Sequence, residues 1–443
     1  MTKSRELPDL TDTVTDQRRV QLGELLGSGA YGRVYKALDS TSPGEPAVVA
    51  VKCLKKYPIG TREAVFQARE IKHHGILSKH DNIVTLHRTF VENDYVFLVL
   101  DYCPGGDLFG VITDRRLFVR NDSMVKQAFA QILDAVEFCH SQGIYHRDLK
   151  PENILACEQG LHLRLSDLGL SSSNLVTSEH GLGSPYYMAY EAIASSHTSF
   201  SCRSADVWAL AVILTNMLTG RNPWRMAHPR DDCFHAFMRD RDFLLKSLPI
   251  SNDANALLKG IFNLEPSFRP TIPQIRELIS KIPTFFLTDA ELADATPSQQ
   301  AIAEAYSSPC AVDKTEEEEL EYPPPESGSC GEHQTGSTEV YIYEEQPFTS
   351  KLLAPPGQPA SSDAVSVSSS DTSSSNGPVT PASNPTEPAI DVPELPEGEG
   401  ISSSRYLGPK QTEMQNQLGV DAGNVKMRST FKKALRKISK VMG

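Results

Sequence analysis

Three places along the chain hold residues that could handle a phosphate group. Residues 27–32 read Gly27-Ser28-Gly29-Ala30-Tyr31-Gly32, and glycines let backbone N–H groups come close to phosphate oxygens. Lys52 lies in the apolar run A-V-V-A-V-K-C-L at 47–54, and Glu70 follows on a helical segment, so an ammonium and a carboxylate sit on adjacent elements. In isolation each would be an ordinary solvated residue; it is their combination that suggests a lysine held against phosphates. The third place is Y-H-R-D-L-K-P-E-N-I-L at 145–155, which brings Asp148, Lys150 and Asn153 within a few residues of one another.

The elements that must position these groups can be read around them. V-Q-L-G-E-L-L at 20–26 leads into the glycine run, and R-V-Y-K-A-L continues from it, giving strand, turn and strand. A dinucleotide fold would start a helix at the last glycine, and a Walker loop would need Lys after Gly32 where Arg33 stands. A hairpin over a nucleotide fits better, with Val34 covering the base. A-V-F-Q-A-R-E-I-K at 64–72 reads as the helix of Glu70. The segment V-F-L-V-L-D-Y-C-P-G-G-D-L at 96–108 reads as a buried strand stopped by Pro104-Gly105-Gly106. A strand ending in an extended linker can offer backbone groups to an adenine edge. Asp101 and Cys103 are the expected positions, with Leu100 behind the base and Asp107 near the ribose. A helical stretch with Val125, Phe129, Ile132, Val136 and Phe138 precedes the string at 145–155.

At this point the chain resembles the eukaryotic protein kinases, in order from about residue 20 to about residue 283. Asp167-Leu168-Gly169 resembles the metal-binding D-F-G element, residues 183–191 (G-S-P-Y-Y-M-A-Y-E) the end of an activation segment, and Asp206-Val207-Trp208 the anchor of the catalytic loop. T-G-R-N-P-W at 219–224 and E-P-S-F-R-P-T at 265–271 resemble later kinase signatures. The resemblance implies an α+β, two-lobed protein kinase fold with a small β-rich N-lobe and a larger, mainly helical C-lobe. It implies ATP and Mg²⁺ as cofactors and protein serine or threonine hydroxyls as acceptors. Asp148 would orient the hydroxyl and accept its proton, Lys150 would neutralise the moving phosphoryl group, and Asn153 with Asp167 would hold Mg²⁺. The implied nucleotide-binding residues are Leu26, Gly27, Ser28, Gly29, Ala30, Tyr31, Gly32, Val34, Ala50, Lys52, Glu70, Leu100, Asp101, Cys103, Asp107 and Leu155. Lys150 at its place after Asp148 is the serine/threonine pattern. His146 is expected to pack and hydrogen-bond, with no metal role.

Two positions depart from the family pattern. Leu168 replaces the usual Phe but keeps an apolar body, and Tyr190 replaces the usual Pro while Glu191 remains to pair with Arg269. A catalytically dead, kinase-like scaffold is the alternative; it is disfavoured because Lys52, Glu70, Asp148, Asn153 and Asp167 are all present. Arg147 is expected to receive a phosphate from Thr177 or Ser178, and Ser184 to belong to the substrate-side loop. Asp107 and Glu152 flank the cleft and suggest a preference for Arg-x-x-Ser-like sites. The short activation segment and D-A-N-A-L-L-K-G-I-F-N-L-E-P-S-F-R-P-T resemble a fungal group of serine/threonine kinases tied to nutrient response and the restraint of meiosis.

Composition divides the chain. The net charge of −13 lies almost wholly beyond residue 283: residues 284–421 carry about −20 and residues 426–443 carry +7. The expected organisation is an N-terminal extension (1–19), a kinase domain (20–283), an acidic Pro/Ser/Thr/Glu-rich tail (284–423, disordered from about 290) and a basic amphipathic end (424–443). That end places Phe431, Leu435, Ile438 and Met442 on one helical face. It suits weak contact with a membrane surface, a calmodulin-like partner or the chain itself, where Arg436-Lys437-Ile438-Ser439 matches the proposed substrate preference. The eight cysteines show no C-x-x-C pair, which points to a reducing compartment. No apolar run is long enough to span a bilayer, and a net acidic chain is a poor nucleic-acid binder. A soluble monomer, cytoplasmic and also nuclear, is the expectation.

Overall fold

The structure is a computed structural model that describes residues 7–29, 32–41, 44–157, 162–193 and 198–307. The fold is α+β in two lobes. In the N-lobe, β1 (Val14–Thr15), β2 (Val20–Ser28), β3 (Gly32–Asp39), β4 (Ala47–Lys55), β5 (Leu86–Glu92) and β6 (Tyr95–Asp101) form one antiparallel sheet in the order β1-β2-β3-β4-β6-β5. Alternation along β4 sends Val49, Val51 and Cys53 into a core with Leu22, Tyr35 and Val99. On the other face, Leu54, Val96 and Leu98 meet Ile71 of helix α1 (Arg62–Leu77). That face also carries Lys52.

Helix α1 begins where the Thr61 side chain accepts the Ala64 N–H, and its buried stripe is Glu70, His73, His74 and Leu77. Three of those four residues are polar, so their partners, and not apolar contact alone, fix the helix against the sheet.

The C-lobe is built on α2 (Leu108–Thr113), α3 (Asp122–Ser141) and the hairpin β7 (Ile154–Cys157) and β8 (His162–Leu165). The short pair β9 (Val176–Thr177) and β10 (Phe200–Ser201) flanks α4 (Tyr190–Ile193). Helix α5 (Cys202–Thr219) is apolar on all sides and buried from Asp206 onward, which makes it the axis of the lobe. Around it pack α6 (Asp232–Arg239), α7 (Phe243–Ser247), α8 (Asn252–Ile261) and α9 (Ile272–Lys281). Trp208, Trp224, Phe234, Phe237 and Phe262 meet beneath it with ring centroids 4.7–6.2 Å apart. Burying each such ring contributes roughly 2–3 kcal/mol.

Ordered elements continue past both ends of residues 20–283. Residues before 20 belong to the N-lobe: β1 extends the sheet, and the Thr15 hydroxyl and Asp16 N–H both donate to Glu92 at 2.7 Å. The expected disorder from about 290 does not apply to residues 290–307. Helices α10 (Asp289–Ala293) and α11 (Pro297–Ser307) pack on the C-lobe, burying Gln299, Ile302 and Tyr306. Gln299 donates to Leu245 O and Leu248 O, and the Tyr306 hydroxyl donates to Met217 O at 2.9 Å. The Tyr306 ring lies so close to Gly220, the left-handed cap of α5, that a Cβ there would meet it at 2.7 Å. The acidic composition of the segment hides this helical stripe. The expectations for the rest of the acidic tail and for the basic end fall outside the described residues.

Candidate active site

The glycine run joins β2 to β3 as a hairpin, with Gly27 opposite Val34 and Ser28 opposite Arg33. Gly29 N–H donates to Gly32 O at 2.8 Å. Gly32 has no room for a side chain, since a Cβ would stand 2.6 Å from Cys53 O. Leu26, Gly27, Ser28 and Gly29 are exposed, while Ala30 and Tyr31 lie outside the described residues. Register then stacks Val34 beside Lys52, Lys36 beside Ala50, and Ala50 beside Leu100, so Val34, Ala50 and Leu100 share one face of the sheet.

Lys52 is the junction of the site. Its Nζ lies 2.6 Å from Glu70 Oε1 and 2.8 Å from Asp167 Oδ1, joining β4, α1 and the segment after β8. Burial works against the ammonium, but the Asp167 and Glu70 carboxylates prevail and raise its pKa. The Lys52 charge holds Asp167 well below the usual carboxylate range, against burial. Burial pushes Glu70 upward, with Lys52 opposing. The Asp167 side chain remains 46% exposed, and its backbone takes φ 56°. Leu168 beside it is buried in the C-lobe core. The apolar body expected at this position is therefore packed in the core.

The catalytic-loop residues hang from α5. Asp206, fully buried, accepts the backbone N–H of His146 at 2.9 Å and of Arg147 at 2.8 Å, and contacts His140 Nε2 at 2.8 Å. His146 packs with Nε2 3.0 Å from Ser166 O. Asp148 Oδ1 accepts both the N–H and the hydroxyl of Ser184 at 2.9 Å. Asn153 Nδ2 donates to Asp148 O at 2.8 Å, and Lys150 Nζ stands 3.8 Å from Asp148 Oδ2. Ser184 thus reaches the acid itself, closer than a place on the substrate-side loop requires. Glu191 and Arg269 form a two-toothed ion pair at 2.6 and 2.7 Å, both side chains 1% exposed, and Tyr190 stacks toward Phe234 at 5.8 Å.

The side chains of the linker after β6 are engaged within the protein. The Asp101 carboxylate binds His87 at 2.7 Å, the Thr85 N–H and Arg164. Asp107 Oδ1 accepts the Gly110 N–H at 2.9 Å and caps α2, and its backbone bridges Leu155. Cys103 is buried beside Cys157.

One partner of Arg147 is not visible in the sequence. Its guanidinium pairs with Glu179 at 2.8 Å, where a phosphate on Thr177 or Ser178 was the expectation. Thr177 is buried in β9, and its hydroxyl accepts the Glu179 N–H. Arg62 approaches Glu179 at 3.7 Å, and Arg69 Nε and Nη2 are buried without a hydrogen bond among the described residues. Burial opposes the Glu179 charge, yet the Arg147, Arg69 and Arg62 guanidinium groups hold its pKa down. Nothing in the spacing of Arg147 and Glu179 signals this pairing, which tertiary packing alone creates.

The sheet over a helical lobe, with Lys52 bridging Glu70 and Asp167 above an anchored Asp148, is the arrangement of a phosphotransferase cleft. The description "Protein kinase domain" matches residues 20–278, and the chain belongs to the protein kinase family. A negative regulator of sexual conjugation and meiosis from Schizosaccharomyces pombe is 37% identical over 297 residues, 62% of this chain and 63% of the relative. The serine/threonine-protein kinase VHS1 of Saccharomyces cerevisiae is 31% identical over 353 residues, covering 66% of this chain and 76% of the relative. The serine/threonine-protein kinase ksp1 of S. pombe is 34% identical over 277 residues, covering 60% and 57%. The first and third of these extend well beyond the part that the chain matches.

Proposed function

We propose that the protein is an ATP- and Mg²⁺-dependent serine/threonine protein kinase acting in nutrient or developmental control in the cytoplasm and nucleus. The observation that carries the reading is the Lys52 bridge to Glu70 and Asp167, set across from an Asp148 held by Ser184 and Asn153. Asp148 orients the acceptor hydroxyl and takes its proton while the hydroxyl oxygen bonds to the γ-phosphorus and ADP departs. Lys150, beside it, neutralises charge on the moving group. Lys52 holds the α- and β-phosphates.

An ionised carboxylate on Asp167 and an amide oxygen on Asn153, whose nitrogen is already turned to Asp148, are hard oxygen donors suited to Mg²⁺. Bound there, the metal would screen phosphate charge. For substrates, Glu152 supports a preference for an upstream arginine: its Oε2 is buried and has no hydrogen-bond partner among the described residues. A guanidinium would supply the missing donor.

The test is a labelled-ATP assay on serine, threonine and tyrosine peptides with and without an upstream Arg. Transfer to the serine and threonine peptides is expected, falling when Arg is replaced by Ala. A folded protein that binds partners and transfers no phosphate would favour the scaffold reading.

A further inference from the structure

Cys103 and Cys157 lie far apart in sequence, yet their Sγ atoms stand 2.7 Å apart. The backbone brings them there. Ala156 N–H donates to Gly106 O at 2.7 Å, and Asp107 bridges Leu155, so the linker after β6 is laid along β7. Gly105 has no room for a side chain, because a Cβ would run into Ala156 O. This close seam fixes the two cysteines opposite each other at the segment joining the lobes.

We infer that Cys103 and Cys157 form a peroxide-oxidisable dithiol site whose disulfide closes the linker onto β7 and weakens nucleotide binding. The effect on nucleotide rests on the kinase reading above, through the Cys103 backbone; the bond itself does not. Cys157 is the more exposed of the two and reacts first. Contact with Cys157, and then burial, raise the Cys103 thiol pKa, so Cys103 is the resolving partner. In the first step the Cys157 sulfur attacks hydrogen peroxide, the O–O bond breaks, and sulfenic acid and water form. In the second, the Cys103 sulfur displaces hydroxide from that sulfur; its proton leaves with the hydroxide as water, and the S–S bond closes. Two thiols are oxidised by one peroxide. A disulfide between such residues in a reducing compartment is transient, as a sensing bond must be.

The seam constrains the outcome because Cys103 is the residue expected to meet the adenine edge. A sulfur–sulfur bond shortens the present separation to about 2.05 Å and fixes both side-chain torsions. Its backbone neighbours are already in contact with β7. Adjustment therefore falls on the linker.

The experiment uses the full chain, treated with limiting hydrogen peroxide, alkylated and digested without reduction, alongside a fluorescent ATP-analogue titration. A peptide joining Cys103 to Cys157 is expected, with nucleotide affinity lowered on the order of ten-fold, as for one lost hydrogen bond. Dithiothreitol should reverse both changes. Cys157→Ser, outside the nucleotide and catalytic residues, should keep untreated affinity and lose both responses. Absence of the joined peptide while other thiols oxidise overturns the site. A joined peptide with unchanged affinity, or a Cys157→Ser protein that loses affinity equally on peroxide, overturns its control of nucleotide. If the untreated protein binds no ATP analogue, the kinase reading fails, and the peptide map still decides the thiol pair.

Discussion

The two lobes hold their share of the site by different means. In the C-lobe, the loop of Asp148 hangs on Asp206, a carboxylate buried in an apolar helix and filled by two backbone N–H groups and His140. In the N-lobe, the helix that brings Glu70 to Lys52 turns a polar stripe inward. His73 Nδ1 meets Ser171 Oγ at 2.8 Å and His74 Nε2 meets Val84 O at 2.8 Å. The first arrangement is built into a core and survives any change that leaves the core intact. The second is a set of single polar contacts between elements, open to pH and to charge. Damage to the C-lobe should therefore remove chemistry or folding outright, whereas damage to the α1 contacts should tune activity.

The largest effect belongs to Asp148→Asn. It removes the carboxylate proposed to accept the proton while leaving Lys52, Glu70 and Asp167 in contact. A fall in turnover of about 10³-fold or more is expected, with ATP-analogue affinity retained, as read by single-turnover kinetics and a binding titration. Normal turnover would sink the assignment. Next comes Arg269→Ala, which removes the guanidinium that lies over the Trp208 ring and strands Glu191 as a buried charge. Breaking such a pair costs about 3–5 kcal/mol. Chemical denaturation should show that loss with no shift in m-value, and a loss below about 1 kcal/mol would mean that water reaches Glu191.

What the sequence makes legible follows the same division. Asp148, Lys150 and Asn153 are readable because the loop that carries them is local, and Lys52 and Glu70 because strand and helix periodicity place them. Glu179 against Arg147 and Cys103 against Cys157 are pairings across distant segments, and residue type alone does not announce them. The ends of the domain misled for a different reason. Residues 290–307 have the composition of a solvated tail, but Gln299, Ile302 and Tyr306 recur on one helical face, and three side chains suffice to dock a short helix on an existing surface. At the other end, two residues of β1 are too few to show alternation.

The histidines of α1 give the N-lobe a pH dependence. Burial pushes both His73 and His74 down to about 4 from an ordinary value near 6.5. Both are neutral in the folded state, so their contribution is fully present above about pH 6.5 and is lost as pH falls towards 4, where the unfolded chain binds the extra protons. From pH 6.5 to 5 the loss is of order 1–2 kcal/mol for each histidine. Thermal or urea unfolding over that range should show it, and His73→Gln should reduce the slope. A slope unchanged in that variant would assign the dependence to other groups.

The smallest effect separates two accounts of the activation segment. Arg147 already has a carboxylate partner in Glu179, and Arg62 and Arg69 add positive charge around the same side chain. A resident anion there orders the segment without any phosphate, because a guanidinium pairs with either. Glu179→Gln keeps the size and removes the charge, leaving three arginines facing one another. Turnover should fall about ten-fold, roughly the weight of one charge-assisted hydrogen bond, with ATP KM little changed since Lys52 and Asp167 are untouched. Ser178→Ala, at an exposed position, should stay within about two-fold of the parent. Thr177→Ala is the less clean probe, because its hydroxyl holds the Glu179 N–H and its loss would disturb the same pair. Steady-state kinetics on protein purified after phosphatase treatment decide between the two: full activity of the treated parent with a weak Glu179→Gln variant supports the resident carboxylate. An inactive treated parent, restored by phosphorylation at Ser178, would show instead that Glu179 only keeps the place until a phosphate arrives.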